Sequence, residues 1–254
     1  MVHFVGAGPG APDLITVRGQ KLLSQADVVI FAGSLVNPEL LLVCKKDCEV
    51  YNSAQMTLEE VLDVMAASDK AGKDIVRLHT GDPSLYGAIR EQMDGLDELK
   101  IPYEVCPGVS AFSGAASALN LEYTLPWVSQ TVIISRMAGR TPVPDRESIR
   151  KLAAHQSTMV LFLSAGMLPD LVHELIAGGY TEDTPSAIIY KATWPDEKQI
   201  RCPLNELADR AAAENIDHLA LVIVGKVLDG EYARSKLYDP AFTTGFRKGE
   251  KCKQ

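Results

Sequence analysis

Two hydrophobic periods alternate along the chain. Short continuous apolar runs, closed by glycine or proline, predict buried strands at 2–5, Val28–Phe31, 74–78 and Tyr103–Cys106. Between them, apolar residues recur at helical spacing over 14–26, 57–70 and 86–99. The middle helix opens on Thr57-Leu58-Glu59-Glu60, the pattern of a capping box. A second set begins near Leu125-Pro126, with strands expected at 130–135, 158–163, 186–190 and 219–224 and helices at 147–154 and 204–213. Strand and helix in alternation predict an α/β protein with mostly parallel or mixed sheets. The expected boundary lies around Asn120 and Pro126. It gives an N-terminal α/β domain over 1–120, a C-terminal one over 125–230, and a polar basic tail over 231–254 carrying Arg247, Lys248, Lys251 and Lys253.

Composition narrows the function classes. A net charge of −8 disfavours a broad nucleic-acid surface, which needs Lys and Arg against phosphate. No apolar run approaches the roughly 20 residues that cross a bilayer, and the first residues show no basic leader. Five scattered cysteines, an odd number, suit a reducing compartment better than a disulfide framework. A cytoplasmic enzyme with neither membrane nor nucleic acid as partner is the expectation. Cys44 and Cys48 lack the further ligands a structural zinc requires, so no metal site is expected.

The candidate chemistry sits in loops after strands. Gly6-Ala7-Gly8-Pro9-Gly10-Ala11 follows the first strand and could pass for a dinucleotide fingerprint. Two features argue against that: no carboxylate follows Val28–Phe31 to hold a ribose, and Pro9 and Pro12 remove N–H groups that a pyrophosphate would use. Thr80-Gly81-Asp82-Pro83-Ser84-Leu85-Tyr86-Gly87 and Cys106-Pro107-Gly108-Val109-Ser110-Ala111 follow later strands. Any one loop could be a plain turn, with Asp82 capping it and Ser110 capping a helix. Together they describe a cleft at the carboxyl edge of one sheet.

In order and spacing these loops resemble those of the tetrapyrrole methylases. The resemblance continues through Ser135-Arg136-Met137-Ala138-Gly139-Arg140-Thr141-Pro142, which is similar to a segment of the branch acting on precorrin-4, and through Tyr190-Lys191-Ala192-Thr193-Trp194-Pro195-Asp196-Glu197, which is similar to a second-domain cofactor loop. It implies two α/β domains with S-adenosylmethionine in the cleft between them. It also implies a homodimer and methylation at carbon 11 of precorrin-4 or cobalt-precorrin-4 on the way to cobalamin, with the cobalt form favoured. Matched by position, the cofactor contacts fall on Pro9, Gly81, Asp82, Pro83, Leu85, Tyr86, Ser110, Ala111, Leu163, Ala192 and Ala220, with Met167 as a rival to Leu163.

A substrate edged with carboxylates calls for the planar fork of arginine. Arg136 and Arg140 are the first candidates, with Arg18 and Lys45 behind them. Asp82 is a possible proton acceptor. His79 is another, although a lone histidine in an apolar strand is more often packed in a core. Three other functions fit parts of the pattern: a ribosomal RNA ribose methylase, a nicotinamide-dependent oxidoreductase, and a carrier that binds tetrapyrrole without reaction.

Overall fold

The computed structural model of the chain describes residues 1–250; Lys251, Cys252 and Lys253 of the tail lie outside them. Two compact units are present. The first comprises Met1–Leu119 with Ile189–Gln199 and Leu219–Leu221, the second Asn120–Ile188, Ile200–His218 and the chain from Val222.

In the first unit β1 (Val2–Gly6) leads through α1 (Val17–Gln25) to β2 (Val28–Phe31) and β3 (Glu49–Asn52). Then come α2 (Leu58–Lys70), β4 (Ile75–His79), α3 (Ile89–Leu99), β5 (Tyr103–Cys106) and α4 (Ala111–Leu119). The strands lie in the order β3-β2-β4-β1-β5, and each neighbouring pair is parallel. Both faces of this sheet are covered, which is why its central strands read as continuous apolar runs. Val5, Val29, Val76 and Leu78 pack on one side with Leu23 and Leu40. Phe4, Ile30 and Ile75 pack on the other with Met65 of α2 and Leu96 of α3.

The second unit holds β6 (Val132–Arg136), α5 (Ile149–Ala153), β7 (Thr158–Phe162), α6 (Leu168–Ala177) and α7 (Leu207–Ala213). Strands β8 (Pro185–Tyr190), β9 (Lys198–Pro203) and β10 (Ala220–Val224) complete its sheet, in the order β6-β7-β10-β8-β9. That sheet is mixed: β6 and β7 are parallel, β7 and β10 antiparallel. The two-sheet α/β fold expected from the alternation is therefore present. No described helix is long and apolar enough to cross a membrane, and no group of His, Cys, Asp and Glu among the described residues could hold a metal.

Element ends differ from expectation where a side chain or a strained residue sets them. Helix α1 begins at Val17 because Thr16 accepts a hydrogen bond from Gly19 N at 3.1 Å. Helix α3 begins at Ile89, after Tyr86 and Ala88 have both entered the left-handed region. Four elements went unforeseen. Strand β9 is polar and half exposed and β3 is an exposed edge, so neither shows an apolar run. Helices α4 and α6 lay in stretches read as loop or left unread. The tail from Glu231 is mostly exposed and organised by Arg247, which donates to the carbonyls of Leu237 and Asp239 at 3.2 and 2.6 Å.

The capping box forms in full: Thr57 Oγ1 accepts from Glu60 N at 3.3 Å, and Glu60 Oε2 accepts from Thr57 N at 2.7 Å. Replacing Thr57 by Ala leaves Glu60 N–H without its acceptor. We expect a loss of about 1 kcal/mol, read as a lower urea midpoint at unchanged slope.

Candidate cofactor site

The three glycine loops follow β4, β1 and β5, which are adjacent in the sheet although far apart in the chain. From β1 the chain crosses over β4 to β2, and from β4 it crosses over β1 to β5. The two connections leave in opposite directions, which opens a crevice at the carboxyl ends of these strands.

Backbone contact locks the loops together. Gly8 and Gly81 form a two-way bridge, with Gly81 N donating to Gly8 O at 2.8 Å and Gly8 N to Gly81 O at 3.3 Å. A Cβ on Gly6 would stand 2.5 Å from Gly108 Cα, and one on Gly108 would stand 2.2 Å from Gly81 O. Glycine is required at both positions because the neighbouring atoms are backbone and cannot turn away.

Asp82 ties two of these loops. Its Oδ1 accepts from Ser84 N at 2.9 Å and from the Ser84 hydroxyl, and its Oδ2 accepts from Gly108 N at 2.8 Å. Burial works to raise its pKa, but the hydrogen bonds from Ser84 and Gly108 outweigh it and hold the carboxyl below its ordinary value. The group is ionised, with both oxygens engaged. It serves as the turn cap that its place before Pro83 suggested, and as a cross-loop tie that no local pattern shows. This geometry suits a staple better than a proton acceptor.

The first loop is held from its other side. Asn37 Nδ2, buried, donates to Gly10 O at 2.9 Å. Thr193 Oγ1 accepts from Ala11 N at 3.0 Å, and Trp194 Nε1 donates to Pro9 O at 3.2 Å. The Ala192–Trp194 segment therefore belongs to the first unit, although the sequence placed it in a second domain. Ala220 is in the first unit too, next to Leu219, whose carbonyl accepts from Lys191 N at 2.8 Å. Asn37, Thr193 and Trp194 went unassigned because their role rests on long-range contacts.

Pro9, Gly81, Asp82, Pro83, Leu85, Tyr86, Ser110, Ala111, Ala192 and Ala220 thus share one unit. Pro9, Pro83 and Ala192 are buried, and Tyr86 is exposed. Ser110 is buried just before α4, its carbonyl accepting from Ser113 N at 3.0 Å and Gly114 N at 3.2 Å. Leu163 lies in the second unit at the end of β7, 66% exposed and left-handed at φ 51. Met167, half-buried, faces Gly139.

The arginines of the second unit divide. Arg136 is half-buried and its guanidinium is engaged, donating to the carbonyls of Met137, Thr141 and Pro142, each at 3.1 Å. Arg140, on the loop those bonds shape, is exposed and has no partner among the described residues. Arg18 is exposed on α1, and Lys45 is paired with Asp27 at 2.7 Å. His79 is a core residue: 4% exposed, with Nε2 unpartnered, and pushed down to about 3 by burial and by the nearby Arg77.

The chain belongs to the tetrapyrrole (corrin/porphyrin) methylases, whose family pattern matches residues 1–208. That bears out the resemblance carried by the three loops. Among named relatives, the chain is 54% identical to a cobalt-precorrin-4 C(11)-methyltransferase of Methanocaldococcus jannaschii, over 98% of this chain and 97% of the relative. It is 46% identical to a precorrin-4 C(11)-methyltransferase of Pseudomonas aeruginosa, over 98% and 99%. The solved structure of a cobalt precorrin-4 methyltransferase superposes with a TM-score of 0.88 at 46% identity, covering 90% of this chain and 95% of that one. A uroporphyrin-III C-methyltransferase from Thermus thermophilus, solved with S-adenosylhomocysteine, gives 0.76 at 26% identity, covering 90% and 98%.

His79 gives a test of pH dependence. Its folded pKa lies below its unfolded value, so between about 6.5 and about 3 the unfolded chain binds the extra proton. Stability from this group is whole above that window and is lost as pH falls through it. His79→Met should therefore show a flatter acid limb than the native protein in urea melts, by at most about 1.4 kcal/mol per pH unit. Parallel limbs would remove His79 as the cause.

Proposed function

We propose that the chain transfers the methyl group of S-adenosylmethionine to carbon 11 of cobalt-precorrin-4, giving cobalt-precorrin-5 for cobalamin synthesis. The observation that carries this reading is the meeting of three glycine loops on adjacent strands, in a chain that matches enzymes of this name over nearly its whole length.

The residues of the loops fit the donor. Asp82 is the only charged side chain in 6–11, 80–87, 107–111 and 192–194, and it is ionised. A cradle of neutral backbone with one carboxylate complements a sulfonium cation and repels a pyrophosphate, which favours this donor over a dinucleotide. S-adenosylmethionine, when bound there, would supply a methyl group activated by the positive charge on sulfur, with S-adenosylhomocysteine as the neutral leaving group.

The protein's part is to hold both reactants in line, an effect that can supply up to roughly 7–11 kcal/mol. The tied loops present backbone N–H and C=O groups in one arrangement, so little reorganisation accompanies the reaction. Arg140 is the group placed to grip a substrate carboxylate, and Arg136 shapes the loop that presents it. A homodimer in the cytoplasm is the setting we infer, from the family resemblance and from five scattered cysteines, an odd number. The second reading keeps the reaction and takes precorrin-4 without cobalt as substrate, since a relative named for precorrin-4 is 46% identical.

Three measurements test this. Calorimetric titration of S-adenosylhomocysteine should give saturable binding, and Asp82→Asn should weaken it at least tenfold, because an amide cannot accept from both Ser84 and Gly108. Absence of any binding to the native chain would end the methyltransferase reading. Arg140→Ala should raise KM for the tetrapyrrole about tenfold or more, the scale of one charged hydrogen bond, while affinity for S-adenosylhomocysteine stays native. Assay with cobalt-precorrin-4 and with precorrin-4, without oxygen, decides which is preferred by kcat/KM.

A further inference from the structure

Arg77 lies in β4, the strand that feeds the Gly81 loop, and it is 6% exposed. No carboxylate pairs with it among the described residues. Burial pushes its guanidinium down to about 10, so it remains charged at neutral pH. A buried cation costs several kcal/mol unless counter-charges or hydrogen bonds offset its lost hydration. Its bonds show what it serves. Nη1 donates to Ile30 O at 3.1 Å, and Nε donates to Gln92 Oε1 at 2.9 Å.

Gln92 is itself 5% exposed, on the inner face of α3. Its Nε2 donates to Ala88 O at 3.0 Å. Arginine has no acceptor, so it fixes which end of the Gln92 amide faces it and turns the amide's donor towards Ala88. Ala88 precedes α3 in the left-handed region at φ 50, with no side-chain cap on the helix. Two residues earlier Tyr86 is left-handed as well, at φ 57. Such residues persist only where their surroundings hold them.

We propose that Arg77 and Gln92 form a brace that holds the Tyr86–Ala88 turn, and through it the loop that receives the methyl donor. Arg77 is thus a positioning residue that acts on the cofactor through Gln92 and Ala88 and touches no reactant. The proposal rests on the functional reading above for the identity of the ligand, but the brace itself does not.

Gln92→Glu separates positioning from stability. The carboxylate gives Arg77 a counter-ion, so the global urea midpoint should hold or rise. It cannot donate to Ala88 O, so the turn should loosen. We expect S-adenosylhomocysteine to bind about tenfold more weakly, and amide hydrogen exchange at Leu85 and in the first turn of α3 to quicken in the ligand-free protein. The double variant Arg77→Met with Gln92→Met removes both polar groups at once, leaves neither orphaned, and should show the same two changes. Native affinity together with native exchange in either folded variant would overturn the brace, as would weaker binding with native exchange. If the native chain binds no S-adenosylhomocysteine, the functional reading falls while exchange still judges the brace.

Discussion

The contact on which the rest of the site depends is backbone against backbone, where Gly6, Gly81 and Gly108 meet. A Cβ on Gly6 or Gly108 would drive into a carbonyl or a Cα, and Gly81 is held in the left-handed region at φ 58. This contact brings the ends of β4, β1 and β5 close enough for Asp82 to reach Gly108 N, and for Gly8 and Gly81 to bridge. Close packing of this kind is hard to deform, so the loops have one arrangement rather than many.

Around that contact the chain is strained in a consistent way. Tyr86, Ala88, Lys191, Thr193 and Leu219 all take left-handed conformations within the first unit, none of them glycine. Each strained stretch is held by a specific bond. Gln92 holds Ala88 O, Glu197 Oε2 accepts from Thr193 N at 2.7 Å, and Leu219 O accepts from Lys191 N. Strain of this sort costs on the order of 1–3 kcal/mol per residue, so these residues keep their conformation only while such bonds hold them.

The chemistry proposed here needs no covalent nucleophile and no metal, because the methyl group arrives already activated. That explains the character of the site: few ionisable groups, much positioned backbone, and a single carboxylate engaged in structure. The arginines follow the same division, since one shapes a loop by binding its carbonyls and the other is exposed on that loop, with no partner among the described residues.

The sequence by itself determined the alternation of strands and helices, the capping box at Thr57, and the presence of three glycine loops after strands of one sheet. These are local properties, written in periodicity and in residues whose conformational range is unusual. It also carried the family, because motif order survives in the chain. It did not reveal β3 or β9, whose exposed polar faces lack an apolar signal, nor the start of α3, which left-handed residues set. Only the tertiary structure decided that Ala192–Trp194 closes over Pro9 and Ala11, that Asn37 holds Gly10, and that Asp82 and Arg136 are tied into loops while Arg140 has no partner among the described residues. Those outcomes depend on which distant backbone groups come within about 3 Å of a donor or acceptor, and strand order, not local pattern, sets that distance.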